Sequence, residues 1–144
     1  MANKTILLVE DEPADAMLTN RAFKESKVAN ELRLARDGAE ALDYLFGPEA
    51  GTRDKPFPCL VLLDLKLPKV DGLDVLRRIR EEPRTRRLPV VILTSSREER
   101  DLVDGYDLGA NSYICKPVDF VQFAEAMKQL GLYWLVLNEP PPTS

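Results

Sequence analysis

Short unbroken apolar runs alternate along this chain with stretches whose apolar positions recur at helical spacing. Thr5-Ile6-Leu7-Leu8-Val9, Leu60-Val61-Leu62-Leu63, Pro89-Val90-Val91-Ile92-Leu93 and Ser112-Tyr113-Ile114-Cys115 read as strands covered on both faces. Glu31-Leu32-Arg33-Leu34-Ala35 alternates and reads as the second of five strands. Pro13 suits the first position of a helix that runs to about Ser26. Asp37-Gly38 marks a turn before a short helix, Ala39 to Phe46, and a polar loop then extends from Gly47 to Pro58. Leu73, Leu76 and Ile79 give helical spacing after Pro68 and Asp71-Gly72. Glu98 to Leu108 is the least apolar helix candidate. Asp119 is placed to cap a last helix, with Gln122 as its capping-box partner. Phe120, Phe123, Ala124, Met127 and Leu130 form that helix's expected buried face.

Near-continuous strand runs joined by helices predict an α/β fold with a parallel sheet covered on both sides. The expected form is the flavodoxin-like (βα)5 doubly wound sheet, strand order 2-1-3-4-5. With no internal repeat and no linker, residues 1–137 read as one domain. Residues 138–144, with Pro140-Pro141-Pro142, read as a disordered or polyproline-type tail.

Composition then removes function classes. The net charge of −4 provides no basic field for nucleic acid or an anionic membrane, and Arg84-Thr85-Arg86-Arg87 reads as a solvated loop. No apolar run reaches the roughly 18–20 residues of a membrane span, and Met1-Ala2-Asn3-Lys4 carries no signal-peptide pattern, so a cytoplasmic location is expected. The chain has no histidine, which excludes imidazole acid–base chemistry and histidine metal ligands. Cys59 and Cys115 fall in apolar runs on strands three and five, which are not neighbours in the expected order, so buried reduced thiols are expected.

In an open α/β sheet, ligands bind beyond the carboxyl ends of the strands. There strand one ends in Glu10-Asp11, strand three in Asp64, strand four in Thr94 and strand five in Lys116. Converging carboxylates need a compensating cation, and a small set of hard oxygen ligands suits Mg2+. A carboxylate beside Mg2+ can act as a nucleophile toward a phosphoryl group, with the cation and Lys116 neutralising oxygen charge and Thr94 donating a hydrogen bond. Taken singly, each of these residues could equally cap a helix or close a turn; the agreement of four strand ends points to a site.

Val9-Glu10-Asp11-Glu12, Leu62-Leu63-Asp64-Leu65-Lys66-Leu67-Pro68 with Asp71-Gly72, Leu93-Thr94-Ser95 and Tyr113-Ile114-Cys115-Lys116-Pro117 resemble, in order, the receiver domain of two-component response regulators. The resemblance spans about residues 5–130. It implies that Asp64 accepts a phosphoryl group from a histidine kinase phosphohistidine. It also implies Mg2+ held by Glu10, Asp11, Asp64 and the Lys66 backbone carbonyl, Glu10 acting directly or through water. Lys116 would pair with phosphoryl oxygens, across a cis bond to Pro117. Thr94 and Tyr113 would move in response, shifting the face built from the fourth helix, fifth strand and fifth helix. Glu10 replaces the commoner Asp, and Lys66 and Ser96 hold positions that tune phosphoaspartate lifetime in that family. The long loop before strand three and Leu132-Tyr133-Trp134-Leu135 also resemble the small output-free regulators that partner phytochrome-type histidine kinases.

Beyond about Leu130 there is no length for an output domain, so output is expected through contacts of the receiver itself. Gly131-Leu132-Tyr133-Trp134-Leu135-Val136-Leu137 either folds onto its own core or, the reading preferred here, joins the last helix in a homodimer contact. Kinase docking is expected around Ala14, Met17 and Leu18 and the loop after Pro117. A haloacid-dehalogenase-like phosphohydrolase would need a second Asp two residues after the nucleophile, where this chain has Lys66. A phosphorylation-independent interaction module would not need the whole acceptor set. The chain carries neither a Walker A motif nor a GxGxxG fingerprint.

Overall fold

The structure is a computed structural model; it describes residues 5–25, 31–95 and 109–130, with the Thr94 side chain also outside the description. Five parallel strands, β1 (Thr5–Val9), β2 (Leu32–Ala35), β3 (Pro58–Asp64), β4 (Val90–Thr94) and β5 (Ser112–Cys115), form one sheet in the order β2-β1-β3-β4-β5. The described helices are α1 (Pro13–Glu25), α2 (Gly38–Phe46), α3 (Gly72–Glu81) and α4 (Phe120–Gln129). The helix expected over residues 98–108 lies outside the described residues, as do the apolar segment 131–137 and the tail. Here α4 is therefore the helix expected to follow the fifth strand.

The strands are buried on both faces because alternate side chains feed two cores. Leu7, Val9, Val61, Leu63, Val90 and Ile92 point to one side and pack on Ala41 and Leu45 of α2 and Val75, Leu76 and Ile79 of α3. Ile6, Leu8, Leu60, Leu62, Val91, Leu93 and Ile114 point to the other. There they meet Ala22 and Phe23 of α1 and Phe123, Ala126 and Met127 of α4. Phe23 and Phe123 join α1 to α4 edge to face, with ring centroids 6.4 Å apart.

Several details depart from the sequence expectation. Phe120, the first residue of α4, is 41% exposed rather than part of the helix's buried face. Ala124 is only half-buried, and Ala126 takes its place in the core. The capping box at α4 closes by half: Asp119 Oδ1 accepts from the Gln122 N–H at 2.8 Å, but Gln122 Oε1 is buried without a hydrogen-bond partner. Cys59 and Cys115 form no disulfide, but both are half-buried rather than buried. Cys59 sits where the β1–β3 register shifts, and Cys115 ends the edge strand β5. Strand β3 begins at Pro58, two residues before the apolar run, because Pro58 lies opposite Thr5 at the strand's first position, where a missing N–H is tolerated. The long loop before β3 is tied down by Tyr44, whose hydroxyl donates to the Pro56 carbonyl at 2.7 Å. Lys55 also pairs with Asp43 at 2.8 Å.

Candidate functional site

Register places the strand ends level with one another. Val9 lies beside Leu63, so Glu10 and Asp64, each one residue further, come side by side. Asp64 lies beside Leu93 on its other flank, and Thr94 beside Cys115, so Lys116 follows immediately at the end of β5. Four of the five parallel strands thus bring the polar residues at their carboxyl ends to one edge, across the β1–β3 crossover where α/β sheets bind ligands.

Loop chemistry holds these residues in place. Glu10 Oε2 accepts from the Glu12 N–H at 3.2 Å, which turns the chain from β1 toward α1. Asp64 Oδ1 accepts from the Lys66 N–H at 3.2 Å, which turns the chain after β3. Asp71 caps α3 by accepting from the Leu73 N–H at 3.0 Å. Gly72 is required beneath this loop, since a Cβ there would overlap the Asp64 carbonyl oxygen. The Lys116–Pro117 peptide bond is cis.

The centre of the site is the Lys116 ammonium. Its Nζ lies 2.9 Å from Glu10 Oε1, 3.0 Å from Asp64 Oδ2 and 3.1 Å from Asp15 Oδ2. Asp64 and Asp15 accept hydrogen bonds from it. Glu10 Oε1 is approached off the hydrogen-bond direction, so charge rather than an aligned donor holds that buried oxygen. Glu10 is fully enclosed and Asp64 nearly so, while Asp11 is exposed at the rim. Burial pushes the Glu10 carboxyl up to about 7, reinforced by Asp64 and opposed by Lys116. Burial works against the Lys116 ammonium, but its close contacts with Glu10, Asp64 and Asp15 outweigh this and raise its pKa above the ordinary lysine value.

Oxygens of Glu10, Asp11 and Asp64 lie within 4.8 Å of one another, and Lys116 lies against two of these carboxylates. The donor set fits a hard divalent cation: all oxygen, three carboxylates, and one buried oxygen without an aligned donor. Such a cation would relieve the repulsion and the burial cost that raise the Glu10 pKa.

Sequence reasoning brought Glu10, Asp11, Asp64 and Lys116 to one place, and the structure brings them together. The Thr94 backbone ends β4 at the same edge, and its side chain lies outside the described residues. Tyr113 is half-buried on β5 against the core under α2 and α3. Asp15 was missed. Its only sequence signal is its place in the first turn of α1, four residues after Asp11, where a carboxylate also favours the helix dipole. Ala14, Met17 and Leu18, candidate docking residues, are exposed, Met17 at 71%. Among the described residues no helix is long and apolar enough to cross a membrane.

The chain belongs to the response regulator receiver domain family, whose pattern it matches over residues 6–128. It is 45% identical over 136 residues to the probable methanogenesis regulatory protein FilR2 of Methanothrix harundinacea, covering 94% of this chain and 86% of that one. It is 39% identical over 132 residues to response regulator Rcp1 of Synechocystis, covering 92% of this chain and 89% of that one. A crystal structure of Rcp1 in an Mn2+-bound form matches with TM-score 0.71 at 37% identity, over 97% of this chain and 99% of that one. The bacteriophytochrome response regulator RtBRR matches with TM-score 0.84 at 52% identity, over 98% of this chain and 86% of that one. Receiver domains are the signalling switches of two-component systems; they work with histidine kinases and bind Mg2+ in an acidic pocket.

Proposed function

We propose that this chain is a phosphoacceptor switch in which Asp64 takes a phosphoryl group from the phosphohistidine of a histidine kinase. The observation that carries this reading is the buried Asp64 carboxylate 3.0 Å from Lys116 Nζ, with Glu10 and Asp11 gathered around it. Glu10, Asp11, Asp64 and the Lys66 carbonyl would hold Mg2+, which supplies charge neutralisation to the phosphoryl oxygens when bound. The Mn2+-bound form of Rcp1 is consistent with this assignment.

In the transfer, an Asp64 carboxylate oxygen forms a bond to phosphorus as the P–N bond to the imidazole breaks, and the imidazole nitrogen keeps the bonding pair. Lys116 follows the charge, exchanging its contact with Asp64 for one with a phosphoryl oxygen. Thr94 supplies a hydroxyl donor, and Tyr113 reports the change on the face of β5 and α4. The group is later lost to water, so each chain carries at most one phosphate and turns over no separate substrate.

The partner kinase is of phytochrome type, a reading supported by the 52% identity to the bacteriophytochrome response regulator RtBRR. It docks over α1, where Met17 and Leu18 stand exposed beside the site, and over the loop after Pro117. The protein acts in the cytoplasm, as a receiver spanning residues 1–137, and signals through a homodimer built on α4 and Leu132–Leu137.

The test is transfer from a bacteriophytochrome kinase labelled on its histidine. One label per chain should move to this protein in Mg2+ and stay on the kinase in chelator. Steady release of phosphate from simple monoesters, with no labelled protein, would instead identify a phosphohydrolase.

A further inference from the structure

Lys116 has one positive charge and three N–H donors, and three carboxylates surround it. Two of them, Glu10 and Asp64, also belong to the group of oxygens within reach of one cation. Asp15 does not belong to that group, although its Oδ2 lies 3.1 Å from the same ammonium. The contact joins residues 101 positions apart and ties the first turn of α1 to the end of β5.

This division has a consequence when a divalent cation enters. Glu10 and Asp64 would direct their lone pairs to a bound divalent cation, whose charge would repel the ammonium. Lys116 then loses the two partners it shares with the cation. Without a third, it would either compete for those oxygens or leave the site for water. Asp15 is the partner outside the cation group, set on the first turn of a helix.

We propose that Asp15 is a positioning residue for Lys116: it receives the ammonium as the cation takes Glu10 and Asp64, and keeps it beside the acceptor carboxylate. The inference rests on reading the site as a Mg2+-dependent phosphoacceptor. It gives Asp15 a role that neither metal ligation nor helix capping provides. Asp15 neither touches the phosphoryl group nor binds the cation; it acts through Lys116.

Isothermal titration with MgCl2 alone, with no phosphodonor, tests it. Asp15→Asn should weaken Mg2+ binding about fivefold, because the ammonium is left competing for Glu10 and Asp64. A bare loss of negative charge would also weaken binding, but it would do so whether or not Lys116 is present. In a Lys116→Met background, therefore, Asp15→Asn should change the Kd by less than about twofold. Equal losses in both backgrounds, or no loss in either, overturn the role of Asp15 and leave the phosphoacceptor reading standing. Absence of Mg2+ binding by the wild-type protein overturns both.

Should the Lys116→Met protein fail to fold, nitrogen-15 spectra of the Lys116 ammonium provide the second readout. In the Mg2+-loaded wild type the Nζ signal should stay protected from exchange. In Mg2+-loaded Asp15→Asn it should merge with the solvent-exposed lysines. A signal equally protected in both proteins contradicts the proposal.

Discussion

Glu10 is the residue whose chemistry is most altered by the fold. Its carboxyl is pushed up to about 7 from 4.5, first by burial and then by Asp64. The native protein therefore binds this proton more tightly than the unfolded chain does. Glu10 favours folding below about pH 4.5 and works against it increasingly as pH rises through about 7. Lys116 shifts in the same direction at higher pH: its raised pKa adds stability that is complete below the unfolded value of 10.5 and is lost as pH rises from there through the folded value. In chelator, Glu10→Gln should thus gain on the wild type in urea midpoint between about pH 5 and about pH 7.5. Parallel pH profiles for the two proteins would show that the enclosed carboxyl carries no such cost. The identities of Glu10, Asp64 and Lys116 were legible in the sequence because each is the first polar residue after an apolar run, and Asp11 follows Glu10 directly. Asp15 was not, because a carboxylate in a helix's first turn is common and only the tertiary contact with Lys116 distinguishes it.

Among the elements, α3 and the loops around it show what keeps the strand ends aligned. Arg80, near the end of α3, donates from Nε to the Gly109 carbonyl at 2.8 Å and from Nη1 to the Leu88 carbonyl at 2.7 Å. Its Nη2 donates to Asn111 Oδ1 at 2.9 Å, and Asn111 Oδ1 also accepts from the Val90 N–H at 2.9 Å. One side chain thus fixes the starts of β4 and β5 together, and with them the positions at which Thr94 and Lys116 emerge. Gly109 allows this by holding φ at 81°, the left-handed region that other residues rarely enter. Arg80→Ala should destabilise the fold by about 2–4 kcal/mol in chemical denaturation, since it removes the donor to the part-buried Gly109 and Leu88 carbonyls at once. A loss under about 0.5 kcal/mol would show the network to be incidental. At the opposite side, a Cβ on Gly38 would overlap the Val70 carbonyl oxygen, so α2 seats against the loop that follows Asp64. Gly38→Ala should cost about 1–3 kcal/mol and shift the amide resonances of residues 65–71, whereas spectra unchanged in that loop would separate the two elements. Four strands were legible because their apolar runs are unbroken, and β2 because it alternates; strand starts and the Phe120 and Gln122 environments were not, since register and helix phase decide them.

At the scale of the whole molecule, two cores on either side of one sheet make the receiver fold, and four of the five strand ends supply the site at one edge. The alternating pattern of strands and helices predicts a parallel sheet covered on both faces, and the flavodoxin-like form expected for it has this order. Strand order was legible because parallel crossovers of this kind have few topologies to choose from. The metal-free site carries a net excess of carboxylates, so a cation that binds only the folded chain should stabilise it by mass action. At Mg2+ concentrations about 100-fold above its Kd, the gain should be about 2.7 kcal/mol, read as a raised thermal midpoint. Ca2+, which prefers more ligands at longer distances, should give less. A midpoint unmoved by Mg2+ would argue against cation binding by Glu10, Asp11 and Asp64.

The central claim is that Asp64 is the phosphoacceptor, and mass spectrometry of the intact protein after incubation with acetyl phosphate and Mg2+ tests it most directly. The wild type should gain one phosphate that hydroxylamine removes, as it does from an acyl phosphate, and Asp64→Asn should gain none. An Asp64→Asn protein that takes up phosphate to the same extent would contradict the assignment.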